Sequence, residues 1–247
     1  MDTISTTGRV ALVAGGSGGI GQAVVERLIS NGYSVAVHYA GNRAKADALV
    51  EKIATAGGQA IAVGGDVADE KEMQAAFDQT EAAFGGIDVV INTAGIMLLS
   101  PIATLTLDDL DLMHRTNIRG AFVVSQLAAN RVRAGGAIIN FSTSVTRTQF
   151  PAYAAYAASK AAVEAMTLIL ARELRGKDIT VNAVAPGPTA TSLFLTGKDD
   201  QTVANLAKAA PLERLGQPED IAETVSFLAG PGRWINGQTI FTNGGIA

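Results

Sequence analysis

Apolar positions along this chain fall into two alternating patterns. Short β-type runs of four to six residues recur at Val10–Ala14, Ser34–Tyr39, Gln59–Gly64, Asp88–Ile91, Ala137–Phe141, Thr180–Ala183 and Thr239–Thr242. Most are apolar throughout rather than alternating, which predicts strands buried on both faces, as in a parallel sheet covered by helices. Between them lie longer stretches with helical spacing: Gly21–Asn31, Arg43–Ala56, Glu70–Phe84, Thr106–Arg133, Ala152–Arg175 and Pro218–Leu228. This β-α-β-α rhythm predicts an α/β, doubly wound parallel seven-stranded sheet with helices on both faces, a Rossmann-type single domain over residues 1–247. No linker, repeat or low-complexity tract divides it. The stretch from Thr189 to Leu215 breaks the rhythm and carries Gly197, Lys198, Asp199 and Asp200. Long connections in compact domains are usually functional, so a substrate lid is expected over 189–215.

Composition narrows the class. Of 247 residues, 48% are hydrophobic and 17% charged, enough apolar material for one large core and too much for a disordered chain. The longest apolar runs, about seven residues, fall short of the ~20 that a membrane span needs. Met1–Thr7 has no basic segment followed by an apolar stretch, so a cytoplasmic location is expected. The absence of cysteine excludes disulfides, thiolate metal sites and a cysteine nucleophile. With His38 and His114 the only histidines, a multi-histidine metal site is not expected. A net charge of −4 without a basic cluster argues against a nucleic-acid partner.

The first strand runs directly into Gly15-Gly16-Ser17-Gly18-Gly19-Ile20-Gly21 and then a helical pattern. Strand, glycine loop and helix start together suit a dinucleotide. Glycines let the backbone approach a pyrophosphate, and the helix N-terminus offers free N–H groups and a positive dipole end. Two registers fit, Gly16/Gly18/Gly21 and Gly15/Gly19/Gly21. The second strand ends in Val37-His38-Tyr39-Ala40-Gly41-Asn42-Arg43 without the carboxylate that NAD sites place on the ribose 2′-hydroxyl. With Asn42 and Arg43 next door, the pattern favours NADP. His38 is expected to be a packed or rim histidine rather than a ligand. Asp66, followed by Val67, either accepts from an adenine amino group or caps a helix, a role that Asp69 could equally fill.

Tyr156 and Lys160, four residues apart, share a helix face. An ammonium beside a phenol favours the phenolate, so Lys160 is expected to lower the Tyr156 pKa and make the tyrosine a general acid/base. Tyr153 lacks such a partner. The hydroxyl cluster Ser142-Thr143-Ser144 follows the fifth strand. The glycine turn, Asp66, Asn92–Gly95 and this cluster all stand at carboxyl ends of strands, where open α/β sheets bind ligands.

These motifs resemble the short-chain dehydrogenase/reductase family over essentially the full length: Gly15/Gly19/Gly21, Asp66, Asn92-Thr93-Ala94-Gly95, Asn117, Tyr156-x-x-x-Lys160, Asn182, Pro186-Gly187, Trp234–Gln238 and Asn243-Gly244-Gly245. Within the family the chain is most similar to NADPH-dependent carbonyl reductases of the 3-oxoacyl-carrier-protein reductase type. The resemblance implies that Tyr156 protonates a carbonyl oxygen, or deprotonates an alcohol in reverse, and that Lys160 lowers its pKa and binds nicotinamide-ribose hydroxyls. It implies that Asn117 holds a water in a relay to Lys160, and that a hydroxyl 13 residues before the tyrosine assists. Thr143 stands there, with Ser142 and Ser144 as alternatives. Cofactor contacts are implied for Gly15, Ser17, Gly18, Gly19, Ile20, Gly21, Tyr39, Asn42, Arg43, Asp66, Val67, Asn92, Ala94, Gly95, Tyr156, Lys160, Pro186, Gly187, Thr189 and Thr191, with Asn182 in support. Ala14, Thr93 and Gly18 depart from the family's usual residues. The first two touch strand bracing; the third leaves Asn42 and Arg43 to carry the NADP preference.

The function expected is hydride transfer between NADP(H) and a carbonyl or secondary alcohol, with no metal. An NAD-dependent alcohol dehydrogenase of the same fold and a non-catalytic nucleotide-binding regulator are the alternatives. Apolar residues at Met97, Leu98, Leu99, Leu193, Phe194 and Leu195 point to an apolar ketone or 3-oxoacyl substrate rather than a sugar. Ala121, Phe122, Val163, Met166 and Leu170 exceed one helix face and either pack on their own sheet or join subunits. The resemblance implies a homotetramer.

Overall fold

The computed structural model describes residues 8–247; Met1–Thr7, on which the expected location rests, lies outside them. Seven strands form one parallel sheet: β1 Val10–Ala14, β2 Ser34–Tyr39, β3 Ala60–Gly64, β4 Ile87–Asn92, β5 Val132–Phe141, β6 Thr180–Pro186 and β7 Thr239–Thr242. Their order is β3-β2-β1-β4-β5-β6-β7. The connecting helices are α1 Gly19–Ser30, α2 Arg43–Thr55, α3 Glu70–Phe84, α4 Leu107–Met113, α5 Gly120–Arg131, α6 Val145–Thr148, α7 Ala154–Glu173, α8 Ser192–Leu195, α9 Asp200–Ala209 and α10 Pro218–Ala229.

The unbroken apolar runs are explained by two cores, one on each face of the sheet. On β1, Ala11 and Val13 pack with Val24, Val25, Leu28, Ile221 and Val225. Leu12 and Ala14 point the other way, toward Met73, Phe77, Val124 and Leu170. Alternate residues therefore enter opposite cores, and neither position tolerates a polar side chain. α7 is long and apolar enough to cross a membrane, but half of it is buried within the fold, on the second core and the site wall.

Several boundaries move, each for a local reason. The stretch read as one helix over 106–133 is α4, a π-helical turn at His114–Arg119 and α5. β5 begins at Val132, with Gly135 at φ +80° and a register shift against β4. α7 begins at Ala154 rather than Ala152, because Ala152 sits at φ +69°. The 189–215 connection holds two helices, α8 and α9, where the sequence pattern showed only a polar interruption. α9 is capped by Asp199, whose carboxylate accepts the Thr202 N–H at 2.7 Å.

β1 is followed by β2 on one side and β4 on the other, so strand order reverses at β1. The carboxyl ends of β1 and β4 therefore flank a crevice, the position where doubly wound sheets bind ligands.

Candidate active site

The glycine turn leaves β1 at Gly15, which adopts φ +75°. A side chain there would press within 2.8 Å of Ala94 N. A Cβ on Gly21 would lie 2.2 Å from the Gly15 carbonyl oxygen, and one on Gly19 would lie 2.9 Å from Thr191 Cγ2. Gly18 meets only Gly15 O, at 3.1 Å. Gly16 is as tight as Gly15, with Val13 O 2.8 Å from its Cβ position, so close approach alone does not separate the two registers; Gly15 adds the demand of a positive φ. Gly18 caps α1 without a side chain, so the first-turn N–H groups of Gly19, Ile20 and Gly21 receive no side-chain acceptor. Such an end attracts an anion through unpaired donors and the helix dipole.

Thr93 closes the other wall. Its backbone N–H and its hydroxyl both donate to Ala14 O, at 2.9 and 2.8 Å. The strand bracing that Ala14 and Thr93 left in question is supplied by this pair of hydrogen bonds. Asn92 is buried and accepts the Ala94 N–H at 3.2 Å. Gly95 is a close-approach position: a Cβ there would sit 3.2 Å from both Asn117 Oδ1 and Lys160 Nζ.

The adenosine side is less committed. Tyr39 packs its ring over Gly64. Asn42 caps α2 by accepting the Lys45 N–H at 3.0 Å, and Arg43 pairs with Asp47 at 3.2 Å while its side chain is 76% exposed. Asp66 does not cap α3; Asp69 does, accepting from Lys71 N and Glu72 N. Asp66 instead accepts the Ala68 N–H and pairs with Arg115. Val67 is buried against Gly120 at the start of α5. His38 is wholly buried, as a packed residue.

Tyr156 and Lys160 are both buried at the crevice floor. The expected lowering of the Tyr156 pKa does not occur in this structure. Burial pushes the phenol up to about 12, against a hydrogen bond with Thr143 that pulls it down; the Tyr153 phenol raises it further. Lys160 contributes nothing to that balance. Its Nζ lies 6.0 Å from the Tyr156 ring centroid and donates to Phe141 O at 2.9 Å, and burial draws its own pKa down to about 8. Desolvation governs the shift of both groups.

Of the three hydroxyls after β5, the structure aims Thr143 at the phenol. Ser142 donates to Glu164 at 2.5 Å and Ser144 to Ala185 O at 3.3 Å. Asn117 lies in the π-helical turn, a feature frequent at functional sites. Its side chain is spent on Ile96, through Oδ1 from N–H and Nδ2 to O at 2.9 Å each, and on Ser159 Oγ at 3.0 Å. Asn182 is structural: it donates to Ile235 O and accepts from Gln238 N, tying β6 to the approach of β7. Pro186 ends β6, and the Gly187 N–H donates to Thr242 O. Thr189 is buried, and Thr191 caps α8 beside the glycine turn.

Above this floor opens a pocket with mostly apolar walls. Met97, Val145, Phe150, Tyr153, Leu193, Phe194, Leu206 and Ile246 line it, with Thr143, Tyr156 and Lys160 beneath. Among the described residues Lys160 is the one charged side chain in the lining. Leu98 packs behind Tyr156, whereas Leu99 and Leu195 are exposed. Ile246 escaped the sequence reading, because a residue in a glycine-rich tail carries no periodicity to place it.

A family model described as enoyl-(acyl carrier protein) reductase matches residues 14–247. An NADPH-dependent aldehyde reductase-like protein of Arabidopsis thaliana is 41% identical over 96% of this chain and 94% of its own length. A 3-oxoacyl-[acyl-carrier-protein] reductase of Staphylococcus aureus is 40% identical over 96% of this chain and 97% of its own. A short-chain dehydrogenase structure from Burkholderia cenocepacia, in complex with NADP, superposes with a TM-score of 0.92 at 38% identity. It covers 98% of this chain and 99% of that one.

Proposed function

The chain belongs to the short-chain dehydrogenase/reductase family of oxidoreductases, and from that premise we propose that it reduces uncharged, apolar aldehydes or ketones with NADPH. The observation that carries this reading is the phenol of Tyr156. It is kept protonated by burial, hydrogen-bonded by Thr143 and set at the floor of an apolar pocket.

The residues present fit the cofactor. The uncapped start of α1 and the glycine-rich Gly15–Gly21 turn suit the pyrophosphate. Asn42 and Arg43 suit a 2′-phosphate. The Arg43–Asp47 pair is a solvent-exposed contact of little strength, which a doubly charged phosphate displaces easily. Asp66 and Val67 would border the adenine, and Ala94, Gly95, Pro186, Gly187, Thr189 and Thr191 the nicotinamide half. Bound NADPH supplies the hydride. The chain's own part is orientation and proton transfer. Tyr156 donates its proton to the carbonyl oxygen, and Thr143 donates a second hydrogen bond to that oxygen as negative charge builds on it. Lys160, anchored by Phe141 O, holds positive charge beneath the reacting groups and binds ribose hydroxyls. The α8–α9 segment acts as a lid, with Leu193, Phe194 and Leu206 closing over the substrate and excluding water.

Substrate class follows from the lining. Among the described residues no carboxylate or guanidinium meets the pocket, and its one cation, Lys160, is engaged with Phe141 O beneath the reacting groups, which supports an uncharged substrate. A 3-oxoacyl chain shares the apolar fit and is the second substrate class. Assembly into a homotetramer is the expected working state.

The test is NADPH and NADH oxidation, side by side, against aldehydes, ketones, β-ketoesters, quinones and an acyl thioester. NADPH should be preferred by about tenfold or more, the discrimination that one charged contact supplies. Preference for NADH would reverse the cofactor assignment. Tyr156→Phe should abolish turnover and leave NADPH binding nearly intact; retained turnover would remove the proton-donor role.

A further inference from the structure

His38 lies on β2 with its ring wholly out of solvent, so it cannot touch a ligand in the crevice. Its Nδ1 nevertheless accepts the Gly15 N–H at 3.2 Å. Its carbonyl accepts the Ser17 N–H at 3.4 Å. One buried residue thus holds the glycine turn at two points, on either side of Gly16. The location explains why a side chain is needed. Backbone pairing between β1 and β2 runs as far as Val13 opposite Val37 and then stops. Gly15 has already swung to φ +75°. Its N–H points back into the protein, where no strand carbonyl takes it. The imidazole supplies the rung that the ladder lacks.

The bond also fixes the chemistry of the ring. Nδ1 accepts only when it carries no proton, so the neutral ring must be the Nε2–H tautomer. Nε2 is itself buried, and the ring faces the Gly65 backbone. Burial drives the pKa of His38 down to about 4, which keeps Nδ1 free as an acceptor; the Gly65 backbone and the Asp66 carboxylate oppose that shift.

We propose that His38 is a positioning residue for the cofactor, holding the Gly15–Ser17 backbone through Nδ1 in the form that receives the pyrophosphate. The inference rests on the reading of the glycine turn as the NADPH site. Loss of the acceptor leaves the partly buried Gly15 N–H without its partner in the fold, and the turn then relaxes toward water or another acceptor. Affinity for NADPH should therefore follow the acceptor at position 38, not the volume there. Phenylalanine keeps the ring and removes the acceptor. Asparagine loses volume but carries Oδ1 at the place of Nδ1 along the side chain.

The experiment is a fluorescence titration of NADPH into wild type, His38→Phe and His38→Asn, with steady-state kinetics on the same proteins. His38→Phe should raise the Kd about tenfold, the equivalent of one lost hydrogen bond, with kcat at saturating NADPH nearly unchanged. His38→Asn should stay within about threefold of wild type. Equal affinity in His38→Phe overturns the proposal, as does an Asn variant as weak as the Phe variant, since packing would then be the cause. Imidazole ¹H–¹⁵N spectra of the wild type give a measurement that needs no folded variant. With only two histidines in the chain, His114→Gln assigns the signals. His38 should show the Nε2–H tautomer, and an Nδ1–H tautomer overturns the proposal. Wild type that fails to bind NADPH while showing the Nε2–H tautomer would instead overturn the cofactor reading and leave the bond to Gly15 standing.

Discussion

Lys160 and Tyr156 stand one helical turn apart, and burial moves their pKa values in opposite directions, to about 8 and about 12. The consequence is a one-sided pH profile for carbonyl reduction. Tyr156 keeps its proton through the working range. Lys160 loses its charge as pH rises through about 8, so kcat/KM should fall above that value with a single limb. A profile flat to pH 10 would separate Lys160 from the reaction. His38 sets the acid side, through stability. Its folded pKa of about 4 lies below the 6.5 of an unfolded histidine. Between those values the unfolded chain binds a proton that the folded chain refuses, so stability declines as pH falls from about 6.5 to about 4. The loss attributable to His38 approaches roughly 3 kcal/mol at the acid end. Urea unfolding at pH 7 and pH 4.5 should show this loss in wild type and much less of it in His38→Asn, while Asp66, which faces His38, is common to both. The role of His38 was hidden in the sequence. A histidine inside an apolar strand reads as core, and only the fold shows which backbone N–H it meets.

At the level of the element, the glycine turn makes the sharpest demand. A Cβ on Gly21 would fall 2.2 Å from the Gly15 carbonyl oxygen, with backbone rather than a yielding side chain in the way. Gly41, two residues after β2, has nothing within 4 Å of its Cβ position. Gly21→Ala should destabilise the protein by about 1–3 kcal/mol and weaken NADPH binding. Gly41→Ala should change neither by a measurable amount. Thermal melting and NADPH titration on the two variants check the contrast. Strands with continuous apolar runs were placed correctly because burial on both faces leaves no polar position to blur them. The long stretch over 106–133 was not, since a π-helical turn keeps helical composition while changing hydrogen-bond partners. α8 and α9 were missed for a related reason. They pack on the pocket and not on the sheet, so their apolar positions stay partly exposed: Val203, Leu206 and Ala207 are only half-buried.

At the level of the whole molecule, the surface bears on assembly. Ala121, Val163 and Met166 form a small buried cluster of their own, and Leu170 packs on the sheet core. These four were poor indicators of an interface. Phe122, the fifth of that set, is exposed on α5, and Leu112 on α4, Leu168 and Ile169 on α7, and Phe227 and Trp234 near the last strand are among the other exposed apolar groups. Trp234, the single tryptophan, is 100% exposed on one chain. If a homotetramer covers these groups, sedimentation should give four copies, and native Trp234 emission should lie to the blue of its emission in urea. Phe122→Glu should shift the sedimenting species to a smaller one. A monomer in wild type, with solvent-exposed tryptophan emission, would remove the tetramer.

Pattern along the chain was enough for the α/β alternation, the glycine turn at the end of the first strand and the Tyr156/Lys160 pair. Each of these is local: burial of a strand, φ freedom at a glycine and a four-residue helical spacing are all properties of neighbours along the chain. Tertiary structure decided the rest. It chose Thr143 over Ser142 and Ser144 by occupying the two serines with Glu164 and Ala185. It drew Ile246 into the pocket from the far end of the chain and set His38 behind Gly15. It also reversed the expected direction of the Tyr156 pKa, since a spacing of four places a lysine near a phenol but does not reveal how much water both have lost. Desolvation and long-range hydrogen bonding depend on groups remote in sequence, and the chain's one-dimensional pattern carries no measure of either.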